Sequence, residues 1–480
     1  MLFSGSSALI LKPTLPNVAF GLLLQQWLDA QFEPDECQRR FERLVAAKKL
    51  SPELFHPEEI QKGGVVASDT LLFGAFGTPV RDWTLYAQAK RGQELLRAGL
   101  RLPTESVSWV AQLIRAAGYS RDAEDLRGAA ASHLTSRFAQ VFGACLEPAG
   151  DEASYGAWPV VDAPGIYRRE HASLVIRSKT TTLLLDPQVL SLGEATHFSR
   201  YPRESGPLEL DAILITHQHE DHWYLPSILR YASRADLPVI VPQVPRPNLL
   251  TPEDFSASLG QVGLKAIAPA WGSTLRVGDI DIDILPFYGE QPTAGSPGPA
   301  DGLRSWGNCY RFTTPEFSAV VLVDSGSDPL GDMVEAVRQN TEQRGPADVV
   351  LSNFRSFPES INIGLPQYAL TLPFEQLRAT FAQHRAGNVR SMTLGVDGVA
   401  RASLAAQARY VLPYAHMFQG IGVDADANLE EGVRTGLASR GATTEVLDWN
   451  PGDVARFENG KLHIVRGPPA APSAPGAQLA

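Results

Sequence analysis

The stretch Ile213-Leu214-Ile215-Thr216-His217-Gln218-His219-Glu220-Asp221-His222 constrains this chain more than any other. The apolar run Ala212 to Ile215 reads as a buried strand. Past its end, four side chains able to bind a metal fall within six residues: His217, His219, Asp221 and His222. His217 and His219 can aim at one ion. Asp221 and His222 can reach a second ion beside it. Imidazole and carboxylate together suit zinc, iron or manganese. A solvated loop would carry three histidines and an aspartate in this order only by chance.

The rest of the chain must supply a scaffold. At 480 residues it is too long for one small core and suggests two structural units or more. Residues 1–155 read as mostly helical, with segments over Phe20 to Phe32, from Cys37 to Leu50, Trp83 to Leu100, Val107 to Ala117 and Ala123 to Leu146. His56 and His133 lie here and read as surface or packing residues. The Glu147 to Ala157 stretch is the expected boundary.

Beyond it, Ser173 to Ile176 and Thr182 to Leu185 form a hairpin that ends at Asp186-Pro187. A helix with Leu225, Ile228, Leu229 and Ala232 on one face follows the motif. Strands are expected at Val239 to Val241, Ile280 to Leu285, Ala319 to Val323 and Val349 to Leu351, and near Met392 and Leu412. A helix is expected over Pro373 to Gln383. Hairpins first, then strands alternating with helices, suit an α/β fold: a two-sheet core with helices outside. The metal domain is thus expected over 156–466. Gly289 to Gly302 reads either as a lid or as a solvated loop. Residues 467–480, rich in Pro, Ala and Gly, read as a disordered tail.

The motif matches the HxHxDH signature of the metallo-β-lactamase superfamily, and the lead-in Leu185-Asp186-Pro187 is similar to that family's. The resemblance implies an αββα sandwich with two metals at the sheet edge. It also implies three further ligands. Asp324, at the end of the strand Ala319 to Val323, looks like the bridging aspartate. His416, at another strand end, looks like the last histidine, with His384 and His463 as competitors. Where the family usually has a third histidine, this chain reads Pro286-Phe287-Tyr288-Gly289-Glu290. Glu290 is the only nearby residue able to bind a metal well, so either the site has lost a ligand or glutamate replaces the histidine.

The implied set is His217, His219 and Glu290 on one ion, Asp221, His222 and His416 on the other, and Asp324 between. Three carboxylates make it richer in hard oxygen donors than a hydrolase site, which tilts preference from zinc toward iron or manganese. The pattern resembles the di-iron β-hydroxylase branch of the superfamily, the chloramphenicol-biosynthesis type. That resemblance implies an O2-dependent monooxygenase acting on a small or carrier-bound, amino acid-like substrate. No dinucleotide fingerprint or Cys cluster is evident in the sequence, so electrons are expected from an external reductase. The alternative is a hydrolase of an ester, lactone, amide or phosphoester, with a metal-bridging hydroxide as nucleophile.

Trp223, Tyr224, Tyr288, Asn308, Arg311, Asn353 and Arg355 flank the motifs and are candidate pocket residues. Either arginine is suited to a substrate carboxylate or phosphate. The net charge of -11 argues against nucleic acid as a partner. No apolar run approaches the roughly 20 residues of a membrane span. Cys37, Cys145 and Cys309 form no close pair, and MLFSGSSALILKP lacks the basic start of a signal peptide, so a cytoplasmic location is expected. The N-terminal region is expected to dock either a second copy of the chain or a carrier protein.

Overall fold

The structure is a computed structural model that describes residues 7–14, 82–91, 94–119, 123–146, 158–188, 208–248, 250–290, 304–328, 330–357, 391–415 and 426–467, with isolated positions between 375 and 386. The helices expected over Phe20 to Phe32 and from Cys37 to Leu50 lie outside the described residues, as does most of the one expected over Pro373 to Gln383.

The helix expected over Trp83 to Leu100 is instead a hairpin. β1 (Ser7–Pro13), β2 (Asp82–Arg91) and β3 (Glu94–Pro103) form an antiparallel sheet in that order. Trp83, Leu85, Ala87 and Ala89 are buried at every second position, opposite Leu96, Ala98 and Leu102. A period of two is the strand period. Ala, Gln, Lys and Arg favour helix by only a few tenths of a kcal/mol each, and burial of one sheet face outweighs that. α1 (Thr104–Tyr119) forms over the expected Val107 to Ala117 and buries Val107, Val110 and Ile114. The helix expected over Ala123 to Leu146 is broken into α2 (Ala123–His133) and α3 (Ser136–Cys145). Thr135 ends the first and caps the second, its Oγ1 accepting the Phe138 N–H at 3.3 Å.

In chain order the remaining strands are β4 (Gly165–Arg168), β5 (Leu174–Arg177), β6 (Thr182–Leu185), β7 (Ala212–Leu214), β8 (Pro238–Ile240), β9 (Lys265–Ile267), β10 (Thr274–Val277), β11 (Ile280–Leu285), β12 (Cys309–Thr313), β13 (Ser318–Val323), β14 (Ser327–Asp328), β15 (Gly331–Asp332), β16 (Val349–Ser352), β17 (Tyr410–Pro413), β18 (Glu445–Val446), β19 (Val454–Glu458) and β20 (Lys461–Val465). The remaining helices are α4 (Leu225–Tyr231), α5 (Phe255–Gln261), α6 (Met333–Arg344), α7 (Gly395–Ala405) and α8 (Asp426–Ala438). One sheet runs β20-β19-β4-β5-β6-β7-β8-β9 and the other β10-β11-β12-β13-β16-β17-β18.

Alternation along the strands builds two cores. Leu183, Leu185 and Leu214 face the second sheet and pack in one core with Ile282, Val321 and Leu412. Leu184 and Ile213 point the other way, into a core shared with Ile228 and Leu229 of α4 and Phe255 of α5. Met333, Val399 and Val433 bring α6, α7 and α8 into the inter-sheet core cluster. Helices therefore cover both sheets, and the architecture is the four-layer α/β sandwich. The outer core beneath α4 continues without a break into Leu9, Trp83, Val110 and Phe142 of the N-terminal strands and helices.

Among the described residues no strand forms near Met392. Its backbone holds loops together instead: the Met392 N–H donates to Phe357 O at 2.9 Å and the Leu394 N–H to Ser325 O at 2.8 Å. That ties the segment to the turn after β13, where Asp324 sits.

Candidate metal centre

The motif begins where β7 stops. Ile215 still pairs through its N–H with Ile240 O at 2.9 Å, and Thr216 then turns the chain. Asp186, at the end of β6, fixes that turn. Its Oδ1 accepts the Thr216 N–H at 2.8 Å, and its Oδ2 accepts the Thr216 hydroxyl at 2.6 Å and His222 Nδ1 at 2.8 Å. A carboxylate only accepts, so His222 carries its proton on Nδ1 and presents the Nε2 lone pair. The Thr216 hydroxyl proton goes to Asp186, so Thr216 Oγ1 is free to accept from His217 Nδ1 at 3.0 Å. His217 then also presents Nε2. Phe287 stacks on the His217 ring at 5.0 Å between centroids, which holds its plane.

Two carboxylates come in from the second sheet. Glu290 Oε2 lies 3.6 Å from His219 Nε2 and 4.0 Å from His217 Nε2. Asp324 Oδ2 lies 3.1 Å from His222 Nε2 and 3.9 Å from His217 Nε2. Asp221 Oδ2 lies 3.9 Å from His222 Nε2. Two atoms bound to one ion at ~2.1 Å each are ~3.0 Å apart at right angles and ~4.2 Å apart when opposed. All five separations fall in that window. His217 Nε2, His222 Nε2 and Glu290 Oε2 are buried without a hydrogen-bond partner. Buried polar atoms left this way are costly unless something binds them. Three overlapping groups among the described residues, His217-His219-Glu290, His217-His222-Asp324 and His171-Asp221-His222, each have donor atoms close enough to hold an ion.

The turn that carries Glu290 is built for close approach. Gly289 has φ +100°, and a Cβ there would sit 2.1 Å from Met392 O. Glu290 itself has φ +41° and Val323, just before Asp324, has φ +43°. A β-branched residue in that region is strained, and such strain gathers where side chains must be aimed. Buried Arg304 braces the turn, donating to Phe287 O at 2.9 Å and pairing with Asp328 at 2.5 Å. Asn353 donates to Asp324 Oδ1 at 2.6 Å, which leaves Oδ2 toward the histidines.

Charge in the site is unbalanced without cations. Burial pushes Glu290 up to about 7. Burial also opposes charging of His222, yet Asp221, Asp186 and Asp324 hold it well above the usual imidazole range. Burial, with His222 and His219 nearby, holds His217 well below that range. Burial pushes Asp186 up against the pull of His222, so the pair keeps its proton tightly. Divalent ions would replace these protons. The two more accessible side chains are His219 at 33% and Asp221 at 28%, so the site opens on their side.

His416 lies outside the described residues, as do His384 and His56. His463 is exposed on β20, and the His133 ring lies tilted at 43° against Trp109. Most flanking candidates have structural tasks. Trp223 donates to Glu253 at 2.9 Å, and the Tyr224 hydroxyl bonds to Leu9 O. Tyr288 faces Arg304, and Asn308 contacts Trp271 and Tyr310. Arg311 is buried and bonded to the carbonyls of Gly345 and Pro346, so it is not the substrate-binding arginine. Sequence reasoning missed His171, whose Nε2 lies 3.0 Å from Asp221 Oδ2. It sits in Arg168-Arg169-Glu170-His171, a charged run that reads as solvated but is buried.

Residues 181–413 match the family model of the β-lactamase superfamily domain. Fold, motif and match agree: this part of the chain is a metallo-β-lactamase-fold domain. Over 131 residues the chain is 30% identical to the 4-amino-L-phenylalanyl-(CmlP-peptidyl-carrier-protein) 3-hydroxylase of Streptomyces venezuelae, a stretch covering 25% of this chain and 23% of that relative. The crystal structure of CmlA, a diiron β-hydroxylase from Streptomyces venezuelae, superposes with TM-score 0.55 at 17% identity, covering 93% of this chain and 97% of that one. A variant of the CmlA β-hydroxylase gives TM-score 0.56 at 17% identity, over 93% and 98%. The likeness in fold therefore reaches past the metal domain into the N-terminal region.

Proposed function

We propose that the chain is a binuclear di-iron monooxygenase that hydroxylates an amino acid-like substrate tethered to a carrier protein. Glu290 carries the reading. Its buried carboxylate faces His217 and His219, where a zinc hydrolase of this fold would be expected to use a third imidazole. His217, His219 and Glu290 would hold one ion, and Asp221 and His222, with His416, the other, Asp324 lying between. Iron bound there would supply dioxygen activation, with two electrons from an external reductase.

The chain's own residues prepare the site. Asp186 and Thr216 keep Nε2 of His222 and His217 unprotonated toward the ions, and Asn353 leaves one oxygen of Asp324 for them. Phe287 and the buried face of the site exclude water from the Glu290 side. The substrate would enter past His219 and Asp221. The N-terminal strands and helices would dock the carrier or a second copy of the chain. The part-sequence likeness to a hydroxylase of a carrier-bound amino acid supports this choice of substrate class.

The test is anaerobic loading of the purified chain with Fe(II), followed by dioxygen and carrier-loaded aminoacyl substrates. Two irons per chain, a near-ultraviolet band and a product heavier by one oxygen atom are expected. A colourless protein that holds zinc in preference to iron and cleaves esters or lactones would replace this reading with the hydrolase.

A further inference from the structure

Three of the proposed ligands have a partner that orients them: Asp186 for His222, Thr216 for His217, Asn353 for Asp324. Asp221 has one too, and it comes from an element outside every motif. His171 sits in the β4–β5 connection with its side chain 2% exposed. Its Nε2 is 3.0 Å from Asp221 Oδ2, and its ring meets the His222 ring edge-on at 5.1 Å between centroids.

The connection is shaped to deliver this ring. His171 has φ +49°, a conformation histidine adopts at a cost. The turn is closed by the Ser173 N–H donating to Glu170 O at 2.9 Å and the Arg169 N–H donating to Ser173 O at 2.9 Å. The Tyr414 hydroxyl then ties Ala172 O to the end of β17 at 2.6 Å. A surface turn has no need of such anchoring from the other sheet. The β4–β5 connection is thus locked onto the strand end that leads to His416.

We infer that His171 is a positioning residue for the second metal: its Nε2–H holds one oxygen of Asp221 so that the carboxylate binds that ion in a fixed direction. A metal-binding carboxylate is ionised and can only accept, so Nε2 carries the proton in this contact. Asp221 needs this support more than the other carboxylates, because its side chain is 28% exposed, against 3% for Glu290 and 9% for Asp324, and water competes for its oxygens. Outer partners of this kind typically set metal affinity by 10–100-fold.

The inference rests on the binuclear reading, and the experiment separates the two. Full-length wild type, His171→Ala and His171→Gln are titrated anaerobically with Fe(II) against a competing chelator, and the Mössbauer spectrum of each loaded protein is recorded. Gln can put an amide N–H near the position of Nε2. Wild type should bind two ions. His171→Ala should bind one as tightly as wild type and the other roughly 10–100-fold more weakly, with one Mössbauer doublet altered. His171→Gln should recover most of the loss. If wild type binds a single ion, the binuclear reading fails. If wild type binds two and His171→Ala matches it in both affinities and spectrum, His171 has no such role. If Gln rescues nothing and wild type shows a third coordinated imidazole at that ion, His171 is a ligand and the positioning role is overturned. Should His171→Ala fail to fold, the His171→Gln spectrum decides: an unchanged doublet supports positioning, and a lost ion overturns it.

Discussion

On the proposed reading, Glu290 decides which metal the site prefers, because it puts a carboxylate where a hydrolase of this fold would use an imidazole. Replacing it with His would rebuild a nitrogen-rich site. Glu290→His is expected to bind zinc in preference to iron and to lose O2-dependent turnover, as read by metal competition and oxygen uptake. The same residue gives a pH signature in the metal-free protein. Burial raises it to about 7 from the ordinary 4.5 of a glutamate, so between these values the folded chain keeps a proton that the unfolded chain has released. Stability is therefore highest below ~4.5 from this group and falls as pH rises to ~7, by no more than about 3 kcal/mol. Glu290→Gln, which cannot ionise, should lose less thermal stability than wild type between about pH 5 and pH 8. Identical slopes in calorimetry would mean Glu290 does not titrate in that window. Asp186 acts one step out. Asp186→Asn would break the contact that fixes the His222 tautomer, and metal affinity should fall about 10–100-fold, measured by chelator competition.

At the scale of elements, the site is assembled from connections, each pinned by a neighbour. The β11–β12 connection brings Glu290, the turn after β13 brings Asp324, and the segment before α7 braces both through Met392. Gly289 is where these three meet. Gly289→Ala would place a Cβ 2.1 Å from Met392 O and force φ +100° on a residue that resists it. We expect a loss of roughly 1–3 kcal/mol in stability and loss of the ion beside Glu290. Gly272→Ala is the control, because φ is also positive at +81° but nothing lies within 4 Å of the added Cβ. It should cost stability and keep the metals. Metal content that survives in Gly289→Ala would show that the turn can shift without moving Glu290.

For the whole molecule, the decisive fact is that the N-terminal strands and helices share a core with the outer face of the metal domain. Leu9, Trp83 and Val110 pack in the same cluster as Ile228 and Leu229 of α4. The Tyr224 hydroxyl, two residues past His222, bonds to Leu9 O of β1, and Lys12 pairs with Glu220 inside the motif at 2.7 Å. Removing residues 1–157 would bare these side chains, each worth roughly 1.5–3 kcal/mol when buried. The truncated chain is expected to be insoluble or to aggregate in size-exclusion chromatography. A truncated chain that stays soluble and keeps both metals would show that the shared core is dispensable. None of the described helices is long and apolar enough to cross a membrane.

The sequence by itself determined the motif strand, the hairpin ahead of it, the sandwich class and the identity of Glu290 as the departure from the family pattern. The first three are set by spacing within a few residues or by a two-residue period on a strand, and the last by the family resemblance of the motif. Tertiary structure alone decided the rest. Trp83 to Leu100 carries residues that suit a helix, and only the faces it meets make it a hairpin. Asp186 ends the lead-in hairpin and Asn353 follows a strand, but nothing local says which side chain either one bonds, and His171 has no pattern around it. His171, Asp186 and Asn353 lie 46, 31 and 136 positions from His217 along the chain by simple subtraction. They act at the centre because β5, β6, β7 and β16 bring strand ends together, and no periodicity records which connection meets which.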